Sequence, residues 1–201
     1  MSTASPPRSV AVLDSAVIWT HSCLQLARSS PLSLPTPCHD WDLGLLLTHM
    51  DESLSAIGEA AQLGHVAVDT EPLARDCGQL VDRIVQRACR TRAAWLQRLT
   101  SAPVGVGDLA LGRDTIVLVG ALEIAVHGWD VARATGEGRR LPEDLAVRLY
   151  DVALAVVTPE ERGRRFAPVV PVPASAPASV RLLAHLGRDP GAALPVDPSM
   201  P

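Results

Sequence analysis

Residues 121–135 read Ala121-Leu-Glu-Ile-Ala-Val-His-Gly-Trp-Asp-Val-Ala-Arg-Ala-Thr135, a run rich in alanine and apolar residues between Gly120 and Gly136. This composition, with a glycine at each end, predicts a helix. Glu123 and His127 lie four residues apart within it. Because residues i and i+4 lie one above the other on a helix, the acid and the imidazole are able to converge on one small object.

The line of polar side chains continues along an apolar surface. Asp130 extends it, and Val119 and Val126 flank it at about 100° per residue. Leu122 and Trp129 lie beyond them on one side, so we interpret Trp129 as a core residue rather than a substrate platform. An unpaired charge buried at such a surface is costly, so the acid of this helix needs a partner. A divalent metal ion is one such partner.

Length and composition favour a single globular domain. The chain has 201 residues, and 47% of them are hydrophobic, which is enough for a sizeable core. No uninterrupted apolar run reaches the roughly 18 residues of a membrane-spanning helix. Residues 1–8 lack the apolar core of a signal peptide. We therefore expect a cytoplasmic protein with no membrane partner.

Charge and cysteine usage argue against two further classes. The formal net charge is −4 and all 18 basic residues are arginines without a basic run, so we expect no nucleic-acid partner. The cysteines form no Cys-x-x-Cys pair and no small disulfide framework. We interpret all four as reduced structural thiols: Cys23, Cys38, Cys77 and Cys89.

Apolar residues recur at helical spacing along most of the chain. This pattern predicts six helices, at about residues 10–27, 43–63, 72–99, 114–135, 142–157 and 179–186. Residues 101–113 are Gly-rich with a short extended piece, and residues 166–173 form a Pro-rich extended segment. Four long helices with C-terminal additions indicate an all-α helical bundle. We assign the chain to a disordered N-terminus, the bundle, and C-terminal helices with a Pro-rich tail packed on it, at residues 1–9, 10–136 and 137–201.

A third metal-competent side chain, His49, lies at the edge of the apolar stripe of the second helix. Glu123-x-x-x-His127 alone is a weak signal, because an Ala-rich helix carries such a pair by chance. A lone histidine on an apolar face is also more often a hydrogen-bonded core residue than a ligand. The joint occurrence on two long helices favours a metal site, since bundles place such sites between facing helices. Two imidazoles and one carboxylate leave a divalent ion with open positions, whereas a structural zinc site has four protein ligands.

Other clusters are weaker candidates. Cys38 and His39 are adjacent, so their side chains point apart and do not easily share one ion. His49-x-x-Glu52 keeps a two-metal bundle open, although the carboxylate-rich motif of such bundles is missing. The sequence contains neither a Gly-x-Ser-x-Gly elbow nor a glycine-rich phosphate loop. Three further histidines have no partner at a telling spacing and are interpreted as surface or loop residues: His21, His65 and His185.

Several motifs taken together resemble one known family. They are Thr36-Pro-Cys-x-x-Trp-Asp42, His49 two turns into the next helix, Glu123-x-x-x-His127-Gly-Trp-Asp-Val-Ala-Arg-Ala-Thr-Gly136, Phe166-Ala-Pro-Val-Val-Pro-Val-Pro173 and Leu186-Gly-Arg-Asp-Pro190. Over roughly residues 10–190, the chain resembles the DinB-like, mycothiol-dependent maleylpyruvate isomerase N-terminal superfamily. Within that superfamily it resembles an actinobacterial branch of metal-binding proteins.

The resemblance implies a DinB-like four-helix bundle with a long crossover between helices two and three. It implies one divalent ion, usually zinc, held by His49, Glu123 and His127. Relatives use that ion to bind mycothiol or bacillithiol as thiolate, for isomerisation or S-transfer. The maleylpyruvate isomerases also carry a separate C-terminal domain that helps to form the substrate site. Because the tail of this chain is short and Pro-rich, maleylpyruvate is not the expected substrate.

We therefore predict a mycothiol-dependent transferase or isomerase that presents a thiol to a small electrophile, with zinc, nickel or iron as the ion. Asp130 is a candidate acceptor for His127, with packing or capping as alternatives, and Arg133 is a candidate for a polar cluster beside the metal. No further catalytic residue and no thiol-binding residue is assigned. A non-catalytic metal-binding or regulatory bundle is the alternative, and a purely structural bundle is a third. A monomer or a homodimer is expected.

Overall fold

The computed structural model describes residues 7–38, 40–66, 76–98, 102–163 and 165–192. This part of the chain contains six α-helices: α1 (Arg8–Ala27), α2 (Leu43–Leu63), α3 (Cys77–Gln97), α4 (Arg113–Ala134), α5 (Glu143–Val156) and α6 (Ala178–His185). It also contains an antiparallel hairpin of two short strands, β1 (Val104–Val106) and β2 (Leu109–Leu111), and a 3-10 turn at Pro159–Glu161. The predicted all-α, DinB-like class is confirmed.

The observed helix ends differ most from the predicted ends in α1 and α3. Helix α1 begins at Arg8, and Ser9 is buried, so these two residues are helical where disorder is predicted. Asp76 has an extended backbone and accepts a hydrogen bond from the Gln79 amide, so α3 begins after it. Residues 72–75, where the third helix is predicted to begin, lie outside the described residues. The division into bundle and C-terminal extension stays a prediction.

Helices α1 and α4 run parallel. Ser9 near the start of α1 donates to Asp114 at the start of α4, over 2.6 Å. Further along both helices, the Thr20 hydroxyl donates to the Ile124 carbonyl over 2.7 Å. Because both pairs advance together along the chain, the two helices point the same way.

Helices α2 and α3 are also parallel, which requires a long connection. Thr91 on α3 donates to the Leu54 carbonyl, and Arg98 at the end of α3 donates to the Ala61 carbonyl. The end of α2 and the start of α3 therefore lie toward opposite ends of the bundle. This arrangement agrees with the long crossover that the resemblance implies, and residues 67–75 between the two helices lie outside the described residues.

The C-terminal extension packs on one side of the bundle. Helix α5 contacts α4 and α1, and α6 contacts α5. The Pro-rich segment lies against α6, because the Val170 amide donates to the Ala184 carbonyl. Arg162 ties both together by donating to the carbonyls of Ala167 and His185. The extension therefore reaches α4, which carries two of the three predicted ligands.

Two bundle helices, α1 and α4, are long and apolar enough to cross a membrane by length and composition. Both belong to the core, and 72% of the apolar window of α4 is buried inside the protein. Core helices of bundles pass the same test, so this finding is weak evidence for a membrane. Trp129 is also buried, as predicted for a core residue.

Candidate metal centre

Glycines let α4 pack closely against its neighbours. A Cβ atom at Gly120 would lie 2.7 Å from Ile57 Cδ1 on α2. A Cβ atom at Gly128 would lie 2.9 Å from Thr20 Oγ1 on α1. A larger residue at either position would force its neighbours to shift. Gly120 therefore sets the spacing across which side chains of α2 and α4 meet, and Gly128 sets the spacing of α4 from α1.

Helix α2 begins close to the site with a side-chain cap. Asp42 has an extended backbone and accepts a hydrogen bond from the Leu45 amide over 2.8 Å, which satisfies a free amide of the first turn. The helix ends at Leu63 and is followed by Gly64, whose φ of 76° is in the left-handed region that favours glycine. Between these ends, His49 lies at the edge of the buried stripe, with a third of its side chain exposed.

The structure brings the three predicted ligands together. His49 Nε2 lies 2.5 Å from Glu123 Oε1, and His127 Nε2 lies 3.3 Å from the same oxygen. One ligand atom from each side chain lies within 4.8 Å of the other two. His127 is buried, whereas His49 and Glu123 are each one third exposed, so the cluster opens to solvent on one side. The geometry meets the requirement of the ligand prediction, and the metal role itself stays a prediction.

Asp130 contacts the second ring nitrogen of His127, Nδ1. His127 Nδ1 lies 2.9 Å from Asp130 Oδ2, and the Asp130 side chain is fully buried. When His127 is neutral, this contact requires its proton on Nδ1. The lone pair of Nε2 then faces Glu123, which is the orientation that a metal-binding histidine needs.

The electrostatics of the cluster attract positive charge. Burial opposes ionisation of Glu123, but the imidazoles of His127 and His49 hold its pKa well below the ordinary value. Burial disfavours the charged form of His127, yet the Glu123 and Asp130 carboxylates, together with Cys38, hold its pKa well above the ordinary value. The two carboxylates therefore draw positive charge to this point, either as a proton on His127 or as a bound cation.

A second group of metal-competent side chains shares His127 with the first. It consists of Cys38, His127 and Asp130, with Cys38 Sγ 3.2 Å from Asp130 Oδ2 and 3.8 Å from His127 Nδ1. Arg188 already pairs with Asp130 over 2.8 Å. A cation among these atoms would lie beside the guanidinium and be repelled by it, so the His49 group is the better candidate.

Three residues next to the cluster are not among the predicted site residues: Cys38, which is interpreted from the sequence as a structural thiol, Trp41 and Arg188. The Trp41 ring centre lies 4.8 Å from that of His49 and 6.0 Å from that of His127, so it forms one wall. These residues belong to two of the motifs that carry the resemblance, at residues 36–42 and 186–190. An interpretation of every residue in these two motifs could therefore have identified Cys38, Trp41 and Arg188 from the sequence. His39 lies outside the described residues.

Other predicted candidates lie elsewhere. Arg133 does not line the cluster, because it stacks over Trp129 at 5.5 Å and donates to the Ala192 carbonyl. Glu52 is exposed and belongs to neither metal-competent group of the described residues, so the two-metal alternative gains no support. His21 and His65 are exposed, as predicted. His185 ends α6 and is partly buried against Tyr150, with ring centres 6.1 Å apart. All four cysteines are free.

Comparison with known proteins gives two kinds of match. No family model matches the chain. Two uncharacterized proteins of Mycobacterium tuberculosis, one from each of two strains, are 32% identical to it over 170 residues, covering 80% of this chain and 87% of each relative. The crystal structure of the mycothiol-dependent maleylpyruvate isomerase aligns with a TM-score of 0.57 and 14% identity, over 72% of this chain and 68% of that chain. A histidine-to-alanine mutant of it gives 0.55 and 13%, over the same shares. At such identity the structural likeness shows the fold alone.

Proposed function

Because the chain belongs to the family of the two M. tuberculosis proteins and has the DinB-like fold of the mycothiol-dependent maleylpyruvate isomerase, we propose that it binds a divalent metal and activates a low-molecular-weight thiol. The main observation that supports this proposal is that one ligand atom from each of His49, Glu123 and His127 comes together at one point. The point lies between two helices and is accessible from one side.

The residues present fit a divalent ion. Two imidazole nitrogens and one carboxylate oxygen suit zinc, and the same set accepts nickel or iron. Three protein ligands leave positions for exogenous groups, as in catalytic zinc sites. The contact of His127 Nδ1 with Asp130 is the outer hydrogen bond that metal-binding histidines almost always make. The approach of both His49 and His127 to one oxygen of Glu123 is the arrangement that a shared ion needs.

Each residue then has a defined task. His49, Glu123 and His127 would hold the ion, and Asp130 orients His127 through its Nδ1 atom. Such an ion lowers the pKa of a coordinated thiol from about 8.5 and so favours its thiolate at neutral pH. Trp41 places an apolar ring beside His49 and His127, which excludes water from one side and offers a surface for a ligand.

The finer assignments are part of the same proposal. The thiol is mycothiol, by analogy with the isomerase of similar fold, and the second substrate is a small electrophile. The reaction is an isomerisation or an S-transfer in the cytoplasm, carried out by a monomer or homodimer without nucleic acid or membrane. Zinc is the proposed ion, with nickel or iron as alternatives.

A second candidate is a bundle that binds metal without turnover. Arg188 is paired with Asp130, and Arg133 is held by Trp129 and the tail. Neither arginine is therefore available to bind an anionic substrate. This favours a binding or regulatory role as the alternative to catalysis.

Calorimetry with mycothiol tests the proposal. Metal-loaded and metal-stripped protein are titrated in two buffers of different ionisation enthalpy. We expect binding only to the loaded protein, with release of a proton because the thiol enters as thiolate. Equal binding by both samples, or binding without proton release, would remove thiol activation and leave the non-catalytic candidate.

A further inference from the structure

We propose that Arg188, in the segment after α6, is a positioning residue of the metal site, so that the C-terminal extension is part of that site. This inference rests on the metal site of the proposed function. Arg188 Nη2 lies 2.8 Å from Asp130 Oδ2, and its Nε lies 3.3 Å from Asp130 Oδ1. The guanidinium therefore contacts both oxygens of a fully buried carboxylate.

This two-point contact fixes the carboxylate that orients His127. Asp130 Oδ2 meets Arg188 Nη2, His127 Nδ1 and the Cys38 thiol, which lies 3.2 Å away. The same Arg188 nitrogen donates to Cys38 Sγ over 3.2 Å. With both oxygens held by Arg188, the Asp130 carboxylate has little freedom to rotate. The direction of His127 Nε2 toward Glu123 is therefore determined in part from the tail.

Arg188 also compensates the buried negative charge of Asp130. A metal ligand histidine is neutral, so it does not compensate a buried carboxylate. Only 10% of the Arg188 side chain is exposed, and Asp130 is fully buried. Breaking a buried ion pair by removing one partner leaves an uncompensated charge, which is costly. In the metal-bound state, Arg188 is the positive partner that Asp130 contacts.

The backbone after α6 aims Arg188 at α4. The Gly187 amide donates to the Ala184 carbonyl and the Arg188 amide to the Leu183 carbonyl, the pattern of a Schellman turn. Gly187 has a φ of 82°, and a Cβ atom there would lie 2.7 Å from Ala167 Cβ. This turn is therefore packed tightly against the Pro-rich segment, which holds Arg188 in place.

Metal affinity of variants tests the inference. Arg188→Met removes the charge and the hydrogen bonds, and Arg188→Lys keeps the charge but not the two-point contact. Arg165→Met is the matched control, because Arg165 lies in the same extension, its side chain is 74% exposed and it pairs with Glu161, away from the cluster. Zinc affinity is measured by competition with a chromophoric chelator, the visible spectrum of the cobalt-loaded protein reports ligand geometry, and circular dichroism reports folding.

We expect Arg188→Met to weaken zinc binding by about 10–100-fold and to change the cobalt spectrum, Arg188→Lys to restore part of both, and Arg165→Met to change neither. If Arg188→Met does not fold, Asp130→Asn with Arg188→Met removes both charges of the pair, and the same loss is expected. Wild-type affinity and spectrum in the folded Arg188 variants, or in the double variant, would overturn the inference. Wild-type protein that takes up no metal would instead remove the proposed function itself.

Discussion

Glu123 and Ile124 are consecutive on α4, yet they face different surroundings. Glu123 meets His49 and His127 in the polar cluster between α2 and α4. Ile124 is fully buried and lines a cavity of about 410 Å³. The other walls of that cavity are mostly apolar side chains of α1, α2 and α3, among them Val17, Leu24, Leu54, Ile84 and Ala88.

The difference shows that the cavity and the candidate metal cluster lie in separate places in this bundle. The cavity offers space but few polar groups, and neither metal-competent group of the described residues includes one of its lining residues. The polar cluster instead forms where glycine lets two helices approach and several donors converge. Substitutions in the polar cluster should therefore change metal affinity, whereas substitutions at the cavity should change stability.

Removal of a ligand should have the largest effect. We expect His127→Ala to lose retained metal, because loss of an outer partner alone costs about 10–100-fold in affinity. Folding should persist, since the bundle is stabilised mainly by apolar burial. Elemental analysis and circular dichroism of the purified variant measure both.

A matched control for this variant is His21→Ala. His21 is exposed on α1 and lines the cavity rather than the cluster, so its loss should leave the metal content unchanged. Full metal retention by His127→Ala would contradict the assigned ligands. An unfolded His127→Ala protein would make the metal structural and contradict the proposed thiol chemistry.

A core truncation beside the cavity should act on stability alone. Ile84 is fully buried and lines the cavity, so Ile84→Ala should lower the free energy of unfolding by about 2–3 kcal/mol, with metal affinity unchanged. Urea denaturation measures the loss, and Val147→Ala at an exposed position of α5 should change it by less than about 0.5 kcal/mol. A large drop in the metal affinity of Ile84→Ala would show that the cavity and the polar cluster are coupled.

The smallest effect is expected at the rim of the cavity. Arg92 pairs with Asp14 there, but the two side chains are 44% and 37% exposed. Solvent screens such a pair, so Arg92→Ala should cost about 1 kcal/mol or less and leave metal content unchanged. A loss of stability equal to that of Ile84→Ala in the same urea assay would contradict this ranking.

The parts of the site that lie on regular helices were predictable from the sequence. Spacing of apolar residues predicts α2 and α4, and the helical repeat then places Glu123 and His127 on one line and His49 at the edge of a stripe. The bounds of both helices agree with the prediction to within one residue. Local periodicity contains this information because these side chains are positioned by their own helix.

The remaining parts depend on contacts between distant segments. Arg188 lies 58 residues from Asp130 and 150 residues from Cys38 along the chain. Neither the loop before α2 nor the turn after α6 has a periodic pattern that indicates where its side chains point. Tertiary packing alone shows that Arg188, rather than the predicted candidate Arg133, is the arginine next to the cluster.

X-ray absorption spectroscopy of the zinc-loaded protein tests most directly whether His49, Glu123 and His127 are the ligands. The two metal-competent groups of the described residues differ in one atom type, because the second group includes the sulfur of Cys38. We predict a first shell of nitrogen and oxygen only, at about 2.0–2.2 Å. A sulfur ligand at about 2.3 Å would place the ion on Cys38 and contradict the assignment of the metal site.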